Sequence, residues 1–172
     1  MIGLWPKPVN MASPVTSASP LFLREAELRR GLELLYFGYS HLTRATDQGL
    51  SEEGMGRAHH RTLYFVARQP DLTVSELLSL LAITKQSLGR VLNELTDRGL
   101  VEARPGTRDR RQRLLRLTPA GATLEAALFD SLRERLSAAY ASAGQSAVSG
   151  FWAVLEGLIP LEERKRIDKL TG

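Results

Sequence analysis

The chain has 172 residues, 43% of them hydrophobic and 24% charged, the proportions of an ordinary soluble domain that folds without lipid or a covalent staple. It contains no cysteine, which excludes a disulfide framework, a thiolate metal site and a thiol redox sensor together. The net charge is only +4, but Lys85 to Arg116 hold nine basic and four acidic residues, a local surplus expected of a phosphate-binding surface, although arginine clusters also serve solubility alone.

Residues 1–20 place Pro6, Pro8, Pro14 and Pro20 among Ser, Thr, Ala and Asn, a composition that neither propagates a helix nor fills a core, and they read as a tail. This start lacks the basic, apolar, small-residue order of a secretory signal, and the apolar stretches are broken by charge short of the ~20 residues that span a bilayer. The expected location is the cytoplasm, with no membrane partner. From Leu21 to about Asp47, Leu28, Leu32, Leu35, Tyr39 and Leu42 fall on one helical stripe, and Gly49 and Ser51 are expected to interrupt it. A second helix runs from about Glu53 to Arg68 and ends before Gln69-Pro70-Asp71, where proline restricts the residue ahead of it.

Thr73-Val74-Ser75-Glu76 has the form of a capping box opening a short helix that carries Leu77, Leu78, Leu80 and Leu81 inward. Thr84 can cap the next helix, which runs to Arg98 with Gly99 as its stop. Two short antiparallel strands follow, Leu100 to Arg104 and Leu114 to Thr118, around a turn at Pro105-Gly106 and an arginine-rich loop. Thr118-Pro119 then supplies a cap and a first-turn proline for a long helix bearing Leu124, Leu128, Leu132 and Leu136. A last helix, after a small-residue break at Ala141 to Gly144, carries Val148, Phe151, Trp152, Leu155, Leu158 and Ile159 before Pro160.

Two helices joined by a tight link, the second followed by a basic β-hairpin, form a helix-turn-helix with a wing. In the second helix Leu88, Val91, Leu92 and Leu95 share the core face, which leaves Lys85, Gln86, Ser87, Gly89, Arg90 and Asn93 outside. Gln and Asn pair bidentately with adenine and Arg with guanine in a major groove, while Ser87 and Gly89 permit close approach; the bland alternative is an ordinary solvated helix face. At the wing, Arg108, Asp109, Arg110 and Arg111 crowd a tip too short to bury anything, and an arginine there can enter a narrow minor groove. Asp109 is expected to hold Arg111 through a bidentate pair. The candidate DNA contacts are therefore Thr73, Thr84, Lys85, Gln86, Ser87, Arg90, Asn93, Arg108, Asp109, Arg110 and Arg111.

Gly99-Leu100-Val101, Arg104, Asp109-Arg110-Arg111 and Leu117-Thr118-Pro119-Ala120-Gly121 together resemble the wing signature of the multiple antibiotic resistance regulator (MarR) family of winged-helix repressors, and the resemblance covers roughly residues 21–159. It implies a mainly α fold with a small β-hairpin wing: a winged helix-turn-helix at about 53–118 and a helical dimerisation lobe from about 21–48 and 119–159, with 160–172 as a C-terminal extension. It also implies a homodimer on an inverted-repeat, double-stranded DNA operator. Family members often answer to a small molecule bound between the two lobes. By family position Tyr36, Tyr39, His59, His60 and Arg61 could line such a cleft, or equally serve packing or surface, and the effector and its ligand residues are unknown from the sequence.

No cofactor or metal is expected: His41, His59 and His60 are the only histidines, and adjacent helical residues point about 100° apart. An enzyme would need a nucleophile with its base, a metal cluster or a phosphate-cradling glycine loop, and none is visible; Gly54-Met55-Gly56 is too short for the last. The stronger rival is a winged helix that binds protein instead of DNA, since a fold does not fix its function. The basic wing argues against it.

Overall fold

The computed structural model describes residues 21–106, 109–168 and 170; the Pro-rich start, with Trp5, and Arg108 lie outside the described residues. The chain divides into two units, one up to Ser40 and one from His41 onward. The first holds a 3-10 turn (Leu21–Leu23) and the opening of α1 (Glu25–Glu52). Glu25 and Glu27 sit in the first turn of α1, where carboxylates complement the helix dipole. Of the stripe read from the sequence, Leu28, Leu32, Leu35 and Tyr39 are solvent-exposed in the single chain and Leu42, in the second unit, is partly buried.

Helix α1 does not stop at Gly49. One glycine inside a helix costs about 1 kcal/mol relative to alanine and does not by itself end it. The stop is Gly54, whose φ of 71° admits the left-handed conformation and closes paired bonds, Met55 N–H to the Leu50 carbonyl at 2.8 Å and Gly54 N–H to that of Ser51 at 3.0 Å. The expected start of the second helix near Glu53 therefore moves to Arg57, and α2 spans Arg57–Arg68.

The second unit continues with β1 (Leu72–Thr73), α3 (Val74–Leu81), α4 (Lys85–Asp97), β2 (Val101–Pro105), β3 (Arg113–Leu117), α5 (Pro119–Ala143), α6 (Gln145–Leu158) and α7 (Leu161–Asp168). The sheet has three strands and not two, in antiparallel order β1-β3-β2. Leu115 lies between Leu72 on one side and Ala103 on the other. Strand β1 is two residues long, too short for any alternating pattern. Both wing strands have the expected five residues but sit one residue nearer the tip than expected, where Gly106 N–H still pairs with the Gln112 carbonyl at 2.9 Å.

The core of this unit joins Leu50 and Met55 at the α1–α2 turn to Leu63 and Val66 of α2, Leu77 and Leu81 of α3, Leu88, Val91 and Leu95 of α4, Val101 and Leu115 of the sheet, and Leu128 of α5. In α5 no residue beyond Leu128 is buried, and α6 buries none at all, leaving Phe151, Trp152, Val154 and Leu158 exposed. Trp152 donates its indole N–H to the Tyr140 hydroxyl at 3.0 Å. The extension carries α7, after which Leu170 is buried and its carbonyl accepts from the Arg68 guanidinium. Among the described residues no helix is long and apolar enough to cross a membrane.

A small-residue contact ties the wing to α5. The Thr118 hydroxyl donates to the Gly99 carbonyl at 2.6 Å and accepts from Gly121 N–H at 3.1 Å, while Thr118 N–H reaches the Leu100 carbonyl at 3.1 Å. A β-carbon on Gly121 would stand 1.9 Å from that Leu100 oxygen, so only glycine permits the approach. Gly121→Ala is therefore expected to lower stability by about 2–4 kcal/mol, read as a fall in the urea midpoint with the slope unchanged; a midpoint equal to the parent's would show that the backbone relaxes freely here.

Candidate nucleic-acid interface

Helix α4 is built by its ends and its stripe. Thr84 accepts from Ser87 N–H at 3.1 Å and donates to the Ser87 hydroxyl at 2.9 Å, satisfying an orphan amide of the first turn. At the other end Gly99 adopts a φ of 66°, with Leu100 N–H on the Leu95 carbonyl and Gly99 N–H on that of Thr96, each at 2.9 Å. Leu88, Val91 and Leu95 face the core with Leu92 partly buried, and Lys85, Gln86, Ser87, Gly89, Arg90 and Asn93 are all exposed. The division expected from spacing is the one observed.

Thr73 occupies the start of α3, where both halves of the capping box form. Its N–H and its hydroxyl both donate to the Glu76 carboxylate, at 2.9 and 2.7 Å, so its donors are committed to the cap. At the wing, Asp109, Arg110 and Arg111 are exposed. Asp109 does engage Arg111, but through the main chain: its carboxylate accepts the Arg111 backbone N–H at 2.9 Å. The expected bidentate pair with the guanidinium is corrected to an Asx-type bond that folds the tip. Gly106 is required beside it, since a β-carbon there would lie 2.6 Å from the Asp109 carbonyl oxygen.

The basic residues divide by position. At the foot of the wing Arg104 pairs with Glu102 at 2.6 Å, and Arg116 forms a two-pronged pair with Asp71. The hydrogen bonds from Arg116 hold the Asp71 carboxyl below the usual carboxylate range. Among the described residues no carboxylate pairs with Lys85, Arg90, Arg110, Arg111 or Arg113. The uncompensated cations thus lie on the outer face of α4 and toward the wing tip, where an anionic polymer can reach them.

Sequence reasoning missed the polar side chains behind this surface. His59, 8% exposed, accepts from Gly56 N–H through Nδ1 at 3.1 Å, and its Nε2 lies 2.7 Å from the Glu94 carboxylate of α4. An Nδ1 that accepts carries no hydrogen, so Nε2 is the donor to Glu94. Arg61 donates to the Leu81 carbonyl at the end of α3 at 2.9 Å, and Arg98 to the Glu53 carbonyl at 2.7 Å. His59 and Arg61, cleft candidates by family position, thus hold the two helices of the helix-turn-helix. The nearest sequence signal was a histidine three residues after the capping Gly56. Tyr36 and Tyr39 belong to the first unit and are exposed.

His60 is only half-buried. Burial pushes its pKa below 6.5, and the nearby Asp47 carboxylate opposes part of that shift. The unfolded chain therefore binds a proton more readily in the window just below 6.5, so this group's contribution to stability is complete above that pH and is lost as pH falls through the folded value. His60→Gln is expected to lose less stability than the parent between about pH 7.5 and about pH 5.5. Denaturation midpoints at the two pH values measure this, and equal losses would refute it.

Comparison with known proteins adds four findings. A sequence profile described as MarR family matches residues 53–112. The HTH-type transcriptional regulator PetP of Rhodobacter capsulatus is 47% identical over 150 residues, covering 87% of this chain and 90% of that protein. Among solved structures, a mutant MarR from E. coli complexed with operator DNA superposes with a TM-score of 0.62 at 22% identity, over 83% of this chain and 100% of that one. Streptococcus pneumoniae FabT in complex with DNA gives 0.67 at 19% identity, over 76% and 94%. At these identities the structural likeness speaks for the fold.

Proposed function

The chain belongs to the MarR family of transcription regulators, and on that premise we propose that it binds double-stranded DNA by sequence, with α4 in a major groove and the wing beside it. The observation that carries this reading is the set of exposed cations without a carboxylate partner among the described residues: Lys85 and Arg90 on the outer side of α4 and Arg110 and Arg111 at the wing tip. Gln86, Arg90 and Asn93 are the base-reading candidates. Thr84 and Ser87 keep the helix start in order, Thr73 does so for α3, and Asp109 shapes the tip, with Arg108 assigned to the same loop from the sequence. The protein is read as a binding protein and not an enzyme, working in the cytoplasm. A small-molecule effector is part of the family reading, without an assigned residue.

Selection of bound duplexes from a random pool at near-physiological salt is expected to return an inverted repeat with half-sites about one helical turn apart. On the selected duplex, Arg111→Ala is expected to weaken binding about tenfold and to reduce the slope of log affinity against log salt by about 1. A pool without enrichment would favour the protein-binding alternative, and an unchanged slope would remove Arg111 from the interface.

We further propose residues 21–159 as the family domain, with the helices flanking the winged helix forming a two-fold dimer. The exposed apolar residues of α1 and α6 support this, Phe37 being 66% and Trp152 51% exposed in the single chain, a load of apolar surface that monomers rarely carry. Sedimentation at micromolar concentration is expected to give twice the 19.0 kDa chain mass; a species of 19.0 kDa would overturn the dimer.

A further inference from the structure

Two kinds of contact hold α4. Its apolar stripe settles which face turns inward, but dispersion contacts are non-directional and tolerate small rotations and slides. Hydrogen bonds are directional. Two of them leave α4 from Glu94 and Arg98, one helical turn apart and on the same side, and both end at the α1–α2 turn and the first turn of α2. Glu94 takes the His59 Nε2–H at 2.7 Å, and Arg98 donates to the Glu53 carbonyl at 2.7 Å. His59 is itself fixed by Gly56 N–H at 3.1 Å, and Met55, between these anchor points, is buried in the core.

We infer that His59, Glu94 and Arg98 form a positioning clamp that sets the tilt of the recognition helix against the α1–α2 turn. Two anchors one turn apart resist tilting in a way that one anchor cannot, so the face from Lys85 to Asn93 is presented at a fixed angle. None of the three is a base-reading candidate, and His59 is buried behind the helix; each acts through α4 and not on DNA directly. The inference rests on the assignment of α4 as the DNA-reading element.

Two variants of the full-length protein separate the clamp from the cap. His59→Asn keeps an acceptor near the Nδ1 position for Gly56 but ends short of Glu94, whereas His59→Gln carries an N–H to about the Nε2 position and can still reach Glu94. On the selected duplex, His59→Asn is expected to bind about tenfold more weakly with the salt slope of the parent, because no phosphate contact is lost, and His59→Gln to stay within about twofold. In the free protein, amide hydrogen exchange is expected to quicken across α4 relative to α2 in His59→Asn and to stay at the parent rate in His59→Gln. Parent affinity and parent exchange in His59→Asn would overturn the clamp. So would equal losses of affinity in both variants that track their melting temperatures, the pattern of a merely structural histidine. If the parent binds no duplex, the DNA-reading assignment fails separately, and unchanged α4 exchange in His59→Asn still overturns the clamp.

Discussion

The burial of Leu88, Val91 and Leu95 in the core that α4 shares with α2 and β2 is the constraint from which the rest of the winged helix follows. These side chains are almost fully withdrawn from solvent, and losing either leucine to alanine typically costs about 2–5 kcal/mol. Because a helix shows one face to the core at a time, fixing these three residues inward fixes Lys85, Gln86, Arg90 and Asn93 outward. The outer face is thus a by-product of packing, and its residues are free of packing demands. The same economy holds at the end of α4, where Gly99 reverses the chain and sends Val101 back into the core as the first residue of the wing.

What could be read from the sequence was what depends on near neighbours. The caps at Thr73, Thr84 and Thr118 each join residues three apart, and the stop at Gly99 answers to the preceding turn, so the local pattern contained them. The end of α1 is not legible in the sequence because Gly49 and Gly54 look alike in composition; the difference lies in which one has Leu50 and Met55 anchored in the core on either side of it. Strand β1 exists only because Leu72 finds Leu115 across the chain. The His59–Glu94 bond joins residues 35 apart, and no periodicity announces such a pair. The pairing of Asp109 with Arg111 is legible but its form is not, because a short carboxylate in a tight turn meets the nearest backbone amide more readily than a long flexible guanidinium.

The treatment of charge follows the same division between foot and tip. Glu102 and Asp71 neutralise Arg104 and Arg116 where the wing joins the body, and there the pairs help define the sheet edge, since Asp71 N–H also bonds the Leu115 carbonyl at 3.0 Å. Exposed pairs of this kind add little to stability, typically about 0–1 kcal/mol; the Arg116–Asp71 pair bridges β3 and the residue just before β1, where Asp71 takes a left-handed φ of 66°. Among the described residues, Lys85 and Arg90 on α4 and Arg110, Arg111 and Arg113 toward the tip have no carboxylate partner. Like charges held close repel one another in the free protein, and counterions gather around them; an approaching phosphate backbone removes that repulsion while its own condensed ions are released. A chain with a net charge of only +4 can therefore present a strongly basic surface, provided its acids are placed where the fold and not the interface needs them.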